Sequence, residues 1–231
     1  MNNALIFLEI AIIDFTIVLL AWKAGTHYLI ATIIANAVMT SIFVNKLIPI
    51  FGFNTTAGEA FYASIYIATD ILTEHEGKQV SYQSIWMGFV GQIMLIICSM
   101  LALQFTSAPE TANIADAMVT LFTPIPRIVT ASFISYLISQ RFNIWFYRVI
   151  KIKTSDKKLW LRNDLGTITS LAIDSLVFFP LAFLGSVSTE TLLTLICTGW
   201  IFKVPLALID TPFIYFSYWI KGMTPPDFRK E

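Results

Sequence analysis

The stretch KVPLALIDTP places Lys203 and Asp210 seven residues apart in an apolar run, each two positions before a proline. Two turns of α-helix take about 7.2 residues, so the two charges share a face with backbones ~10 Å apart, and a direct ion pair needs both side chains to lean together. Pro205 and Pro212 each lack a backbone donor and free the carbonyl four residues earlier, those of Ile201 and Leu208. A proline-interrupted helix carrying both charges at mid-membrane has the character of the broken helices that form transporter binding sites. The same residues also read as a structural kink in which a carboxylate from a neighbouring helix neutralises Lys203.

Further ionisable groups stand in or beside apolar runs. Asp70 and Glu74 are four residues apart, which puts both carboxylates on one helical face; Glu59, Arg127 and Asp174 fall in or at the start of others. A charge inside a membrane span costs roughly 2.5 to 3.5 kcal/mol on insertion scales, so by default it faces a cavity or a partner. Uncharged polar residues within the runs, Asn36, Thr40, Gln92, Thr130, Ser132, Ser135 and Thr169, line the same cavity or act as glue between helices. Hydrolytic or cofactor chemistry has no footing: no nucleophile and base stand together, and HExxH, GxGxxG and GxxxxGK[ST] are absent. Cys98 and Cys197 have no His or Cys at ligand spacing, so no metal, cofactor or disulfide framework is expected.

The elements that hold these residues are helices in lipid. The 231 residues are 56% hydrophobic and 13% charged, with mean hydropathy +0.72, outside the range of soluble domains. Apolar runs long enough to span a bilayer occur at about 4–22, 28–48, 59–74, 84–106, 118–140, 166–186 and 190–219. The expected fold is therefore an all-α integral membrane protein, a compact polytopic bundle of seven spans. The first run reads as a true helix and not a cleaved signal, because it has no basic leader and contains Glu9 and Asp14.

Basic residues set the orientation. Arg141, Arg148, Lys151, Lys153, Lys157, Lys158 and Arg162 crowd the segment 141–165, read here as a loop, and Lys221, Arg229 and Lys230 lie in the tail. Seven spans put these on the same side as Lys23 and Lys78, leaving Lys46 alone opposite. The positive-inside rule then places the N-terminus outside and the C-terminus in the cytoplasm. The aromatic residues among these cations, Trp145, Phe146, Tyr147 and Trp160, are those expected at a membrane interface, and no nucleic-acid binding is expected.

Four motifs, ATDILTEHEGK (68–78), RIVTASFISYLISQ (127–140), IDSLVFFPLAFLG (173–185) and KVPLALIDTPFIY (203–215), together resemble the queuosine precursor transporter family, also called the vitamin uptake transporter family. The resemblance runs from about residue 28 to 222. It implies a six-helix core similar to the substrate-binding subunits of energy-coupling-factor transporters, over residues 28–222, preceded by an extra N-terminal helix and connection (1–27) and followed by a cytoplasmic tail (223–231). It also implies a multi-pass protein of the cytoplasmic membrane that imports a 7-deazaguanine or queuine for tRNA modification. The alternative within the same resemblance is a substrate-binding subunit for another small solute that needs a separate energising complex. Partners are then the small molecule, lipid, and a second copy or an energising protein.

On this reading Asp70, Glu74, Asp174 and Asp210 are candidate ligands or gates, because a carboxylate accepts paired bonds from a guanine-like edge. Lys203 and Arg127 bond the ring carbonyl or hold those carboxylates, and Asn36 is a further candidate lining group. The chain departs from the family pattern at Leu171, where a polar amide is usual, at Asn143, where aspartate is common, and at Ser175, which keeps the usual hydroxyl. The extra first helix is expected to be peripheral to transport.

Overall fold

The computed structural model describes residues 2–153 and 159–223. Within them, the side chains at 78, 140, 143, 144, 147, 148, 150–153, 159–164, 167, 206–211 and 214 lie outside the description, as do residues 1, 154–158 and 224–231. The expected tail and the side chains of Asn143 and Asp210 therefore fall outside the described residues.

The chain folds as α1 (Asn3–Ala24), α2 (Thr26–Phe43), a hairpin of β1 (Leu47–Ile50) and β2 (Phe53–Thr56), α3 (Glu59–His75), α4 (Lys78–Ala102), α5 (Ala112–Phe122), α6 (Ile125–Lys153), α7 (Leu159–Phe183) and α8 (Thr189–Ile220). Among the described residues, four helical stretches are long and apolar enough to cross a bilayer: Asn3–Ala24, Thr26–Phe43, Gln79–Ala102 and Pro109–Ser139. The molecule is thus an all-α, multi-pass membrane bundle.

Both faces of α1 are apolar. Ala11, Phe15, Val18 and Trp22 recur at helical spacing and are buried against Leu29 and Ile33 of α2 and Ile67, Ala68, Ile71 and Leu72 of α3. Leu5, Leu8, Ile12, Ile13, Ile17 and Leu20 point outward. A soluble helix would be polar there; lipid makes the apolar face stable instead. Helix α4 repeats the pattern with Trp86, Val90, Ile93, Met94 and Ile97 exposed. Its inner face is small, and a Cβ on Gly91 would come 2.7 Å from Cγ2 of Ile34 in α2. Such small residues let backbones approach where lipid provides no hydrophobic drive. Gln92 locks the same pair by donating to the Ala37 carbonyl at 3.2 Å and the Ser41 hydroxyl at 2.8 Å.

Three local outcomes differ from the sequence reading. Of the segment 141–165, expected as a loop, the described residues 141–153 and 159–165 are helical in backbone, because α6 and α7 extend past the apolar runs as charged helices without proline or glycine. The run from 118 to 140 is divided at Thr123 and Pro124, between α5 and α6, where proline supplies no backbone donor. Helix α8 stays continuous through Pro205 and Pro212, and no break opens beside Lys203. Prolines are tolerated in membrane helices when neighbouring groups satisfy the freed carbonyls.

The hairpin is an addition that helical periodicity conceals. Phe51 and Gly52 both have positive φ, at 51° and 83°, which is the two-residue turn that matches strand twist. Its strands pair antiparallel from Leu47 with Thr56 to Ile50 with Phe53. The hairpin is tethered by Asn3 Nδ2 to the Pro49 carbonyl at 2.9 Å and by the Thr198 hydroxyl to the Asn54 carbonyl at 2.7 Å. It delivers the chain through Gly58 into α3. A Cβ on Gly58 would lie 2.8 Å from both the Thr40 oxygen and the Val44 nitrogen of the α2 backbone. Gly58→Ala is therefore expected to push α3 from α2 and destabilise the fold by about 1 to 3 kcal/mol, read as a lower thermal midpoint of the purified protein in detergent.

Candidate functional site

Five helices bring one polar cluster into the apolar interior. Glu59 is the first residue of α3, Asp174 lies within α7, and Lys203 lies within α8. Lys203 Nζ donates to Asp174 Oδ2 at 3.0 Å and stands 3.4 Å from Glu59 Oε2. All three side chains are 5% exposed or less. Nζ also sits 4.5 Å from the centroid of the Tyr62 ring, a desolvated cation–π contact. Tyr62 OH reaches Asp174 Oδ2 at 3.4 Å and shares a 3.1 Å hydrogen bond with Tyr66 OH.

The local sequence explains the placement. Glu59 and Tyr62 are three apart, so both project from one face of the first turn of α3. The carboxylate of Glu59 also gains from the partial positive charge at a helix N-terminus. The hairpin root and the end of α2 close over this turn, turning a helix start into a buried position. Thr40 and Val44 of α2, Gly58, Ser132 and Ser135 of α6, and Phe178 of α7 complete the walls of a void around the three charges. That void has room for about one water. A larger solute enters only if the walls move.

Several acceptors in this cluster lack hydrogen bonds. On the void, Asp174 Oδ1, Glu59 Oε2 and the Thr40 hydroxyl are buried and without a hydrogen-bond partner among the described residues, Glu59 Oε2 being held only by its ion pair; the hydroxyls of Ser175 and Tyr136, outside its lining, are likewise unpartnered. Burying a polar atom unsatisfied costs about 1 to 3 kcal/mol, so these oxygens mark a surface prepared for donors. Two carboxylates and one ammonium, bordered by aromatic rings, can take a flat solute rich in N–H groups.

The other candidate residues occupy separate places. The Arg127 guanidinium is at the far end of α7, where Nε donates to the Leu181 carbonyl at 2.8 Å, Nη2 to the Leu184 carbonyl at 2.6 Å and Nη1 to the Ser186 hydroxyl at 3.3 Å. These bonds satisfy carbonyls that the helix end leaves orphaned. Asn36 donates to Asp14 of α1 at 3.1 Å, a buried pair that joins the first two helices. Asp70 is half-buried on α3, eleven residues beyond Glu59 and so ~16 Å along the helix.

Glu74 belongs to a second cluster at the opposite end of α3, where it accepts from Tyr218 OH. Beside it His75 Nε2 and Ser217 Oγ are 2.7 Å apart, Trp22 stacks on the His75 ring, and the Trp22 indole donates to the Ser217 carbonyl at 3.0 Å. This cluster ties α1, α3 and α8 together. Of the remaining polar residues, Thr40, Ser132 and Ser135 line the void, while Gln92 bridges α2 and α4. Leu171, 2% exposed, lies one turn before Asp174 on α7.

Of the residues named from the sequence, Lys203 and Asp174 meet in this cluster. Glu59, recognised in the sequence as a charge at the start of a span, joins them although it was not among the candidates. Tyr62 went unnoticed; its spacing from Glu59 was the signal available.

Comparison with known proteins places this architecture. The family model described as "Putative vitamin uptake transporter" matches residues 56–217. The chain is similar to the "Probable queuosine precursor transporter" of Bacillus subtilis (strain 168), with 32% identity over 234 residues and 100% of both chains covered. It is also similar to the "Queuosine precursor transporter" of Escherichia coli (strain K12), with 24% identity over 193 residues, covering 82% of this chain and 81% of the relative. No solved structure matches the chain.

Removing one partner from a buried ion pair leaves an uncompensated charge, at about 3 to 5 kcal/mol. Lys203→Ala is therefore expected to lower the thermal midpoint sharply. The neutral triple variant Lys203→Met, Glu59→Gln, Asp174→Asn should recover most of the loss, and circular-dichroism melts in detergent test both.

Proposed function

We propose that this chain, which belongs to the vitamin uptake transporter family, imports a queuosine precursor across the cytoplasmic membrane for use in tRNA modification. The substrate class is a 7-deazaguanine, carrying a 7-cyano or 7-aminomethyl group, or queuine. The observation that carries this reading is the cluster of Glu59, Asp174 and Lys203, whose two carboxylates present buried oxygens without hydrogen bonds to a void walled by five helices.

A guanine-like edge offers adjacent N–H donors and a ring carbonyl. Asp174 Oδ1 and the Glu59 carboxylate accept from the donors in charge-assisted bonds, and Lys203 donates to the carbonyl. The Tyr62 and Phe178 rings bound the flat faces of the base. The void holds about one water, so loading displaces the walls. The end of α2 and the first turn of α3 form one wall of the void, and their separation opens a path.

The topology that fits this role has seven spans: α1, α2, α3, α4, α5 with α6, α7 and α8. The last six form the transporting core. Basic residues concentrated on α6, α7 and the tail support an outside N-terminus and a cytoplasmic C-terminus. Arg127 then serves as an outer brace, and the cluster of Trp22, His75, Glu74 and Tyr218 closes the cytoplasmic end.

The test is rescue of queuosine in cells that lack both precursor synthesis and their own transporter. With this chain expressed and each base supplied at low concentration, tRNA modification is read from gel retardation. Rescue by at least one base is expected, and Asp174→Asn should abolish it at equal membrane expression. Absence of rescue by every base, with the downstream enzymes supplied and expression confirmed, would refute the assignment.

A further inference from the structure

The cluster that receives the base carries one negative charge more than it can balance. Two carboxylates, Glu59 and Asp174, meet a single ammonium within 3.4 Å, in a void with space for about one water. The elements packed around it bring no second cation among the described residues. Helix α2 contributes Thr40, α6 contributes Ser132 and Ser135, and α3 adds the neutral phenols of Tyr62 and Tyr66, with Tyr136 of α6 beyond them. From α1 the nearest carboxylate, Asp14, is engaged by Asn36. The other basic residue within an apolar run, Arg127, is bound to carbonyls at the end of α7.

A second carboxylate beside one cation adds an uncompensated charge in a site with little water, and a shared proton is the smallest compensation available. With that proton the cluster comprises one carboxylate, one carboxyl and one ammonium, and its net charge is zero. It then has acceptors for the N–H edge and two donors for the carbonyl of a neutral base. Without the proton, a neutral base would seal an unbalanced charge into a site with almost no water.

We propose that Glu59 and Asp174 hold one exchangeable proton between them, and that a neutral 7-deazaguanine crosses the membrane together with that proton. This rests on the reading of the cluster as the substrate site. The proton enters from the outside with the base and leaves to the cytoplasm with it, so each cycle moves one base and one positive charge inward. Base and proton each raise the affinity for the other, as linkage requires.

The experiment uses the full chain in vesicles with a pH-sensitive dye inside and 7-cyano-7-deazaguanine as the probe. An inward proton gradient is expected to drive accumulation of the base above its outside concentration, with acidification of the lumen, and a protonophore should abolish both. Exchange of labelled for unlabelled base needs no gradient and should survive the protonophore. Lack of exchange would overturn the transport reading itself. Exchange that persists while an inward proton gradient drives neither accumulation nor acidification of the lumen, or accumulation driven by sodium alone, would overturn only the proton coupling.

The residue assignment is tested by calorimetry of base binding in buffers of different ionisation enthalpy. Wild type is expected to take up protons on binding, and that uptake should be lost in Glu59→Gln. Unchanged uptake in a folded Glu59→Gln protein would remove Glu59 from the proposal.

Discussion

Lys203 held between carboxylates of two other helices is the interaction around which the bundle is arranged. Its ammonium lies at 3.0 Å from Asp174 and 3.4 Å from Glu59, so α3, α7 and α8 meet at one buried charge. In hydrocarbon an ammonium cannot stand alone, and neither can the carboxylates. The three charges therefore bind the helices together and at the same time maintain polar oxygens in a place where everything else is apolar. Structural support and the proposed ligand recognition both draw on one desolvated cluster. They are separable in principle, because a neutral replacement restores packing without restoring the acceptors.

Much of the remaining architecture serves to keep that cluster dry. The hairpin of Leu47–Thr56 is held to α1 and α8 and leads through Gly58 into α3, and Gly58 permits α3 to lie against the α2 backbone with no side chain between them. Arg127 closes the carbonyl end of α7. At the other end of α3, Trp22, His75, Ser217 and Tyr218 link α1 to α8. The first helix is consequently part of the packed body: Phe15, Val18 and Trp22 are buried in the same cluster as α2 and α3, and its Asp14 engages Asn36. Its residues do not reach the void around Lys203.

The membrane class and the central cation were legible because lipid penalises charge so strongly that any cation in an apolar run draws notice. Lys203 and Asp174 are such residues, and the neutralisation of Lys203 from neighbouring helices follows from the same penalty. Glu59 was harder to weigh. At the first residue of a helix it reads as a rim charge, and only the helices packed around that first turn, α2, α6, α7 and α8, make it an interior one. Tyr62 is one of 27 Phe and Tyr residues, and nothing in its local sequence sets it apart except the spacing from Glu59. The pairing of Asn36 with Asp14, and of Arg127 with carbonyls, depends on the rotation of helices about their axes. That rotation is ambiguous when both faces of a helix are apolar, as in α1 and α4. The continuity of α8 through two prolines is likewise set by its neighbours, since proline alone predicts a break.

The most direct test of the central claim is the affinity of purified protein for 7-cyano-7-deazaguanine, wild type against Asp174→Asn, with melting curves to establish that both are folded. A hydrogen bond to a charged group contributes about 1.5 to 3 kcal/mol, so the account predicts a loss of at least tenfold in the variant. A folded Asp174→Asn protein that binds the base as tightly as wild type would contradict it.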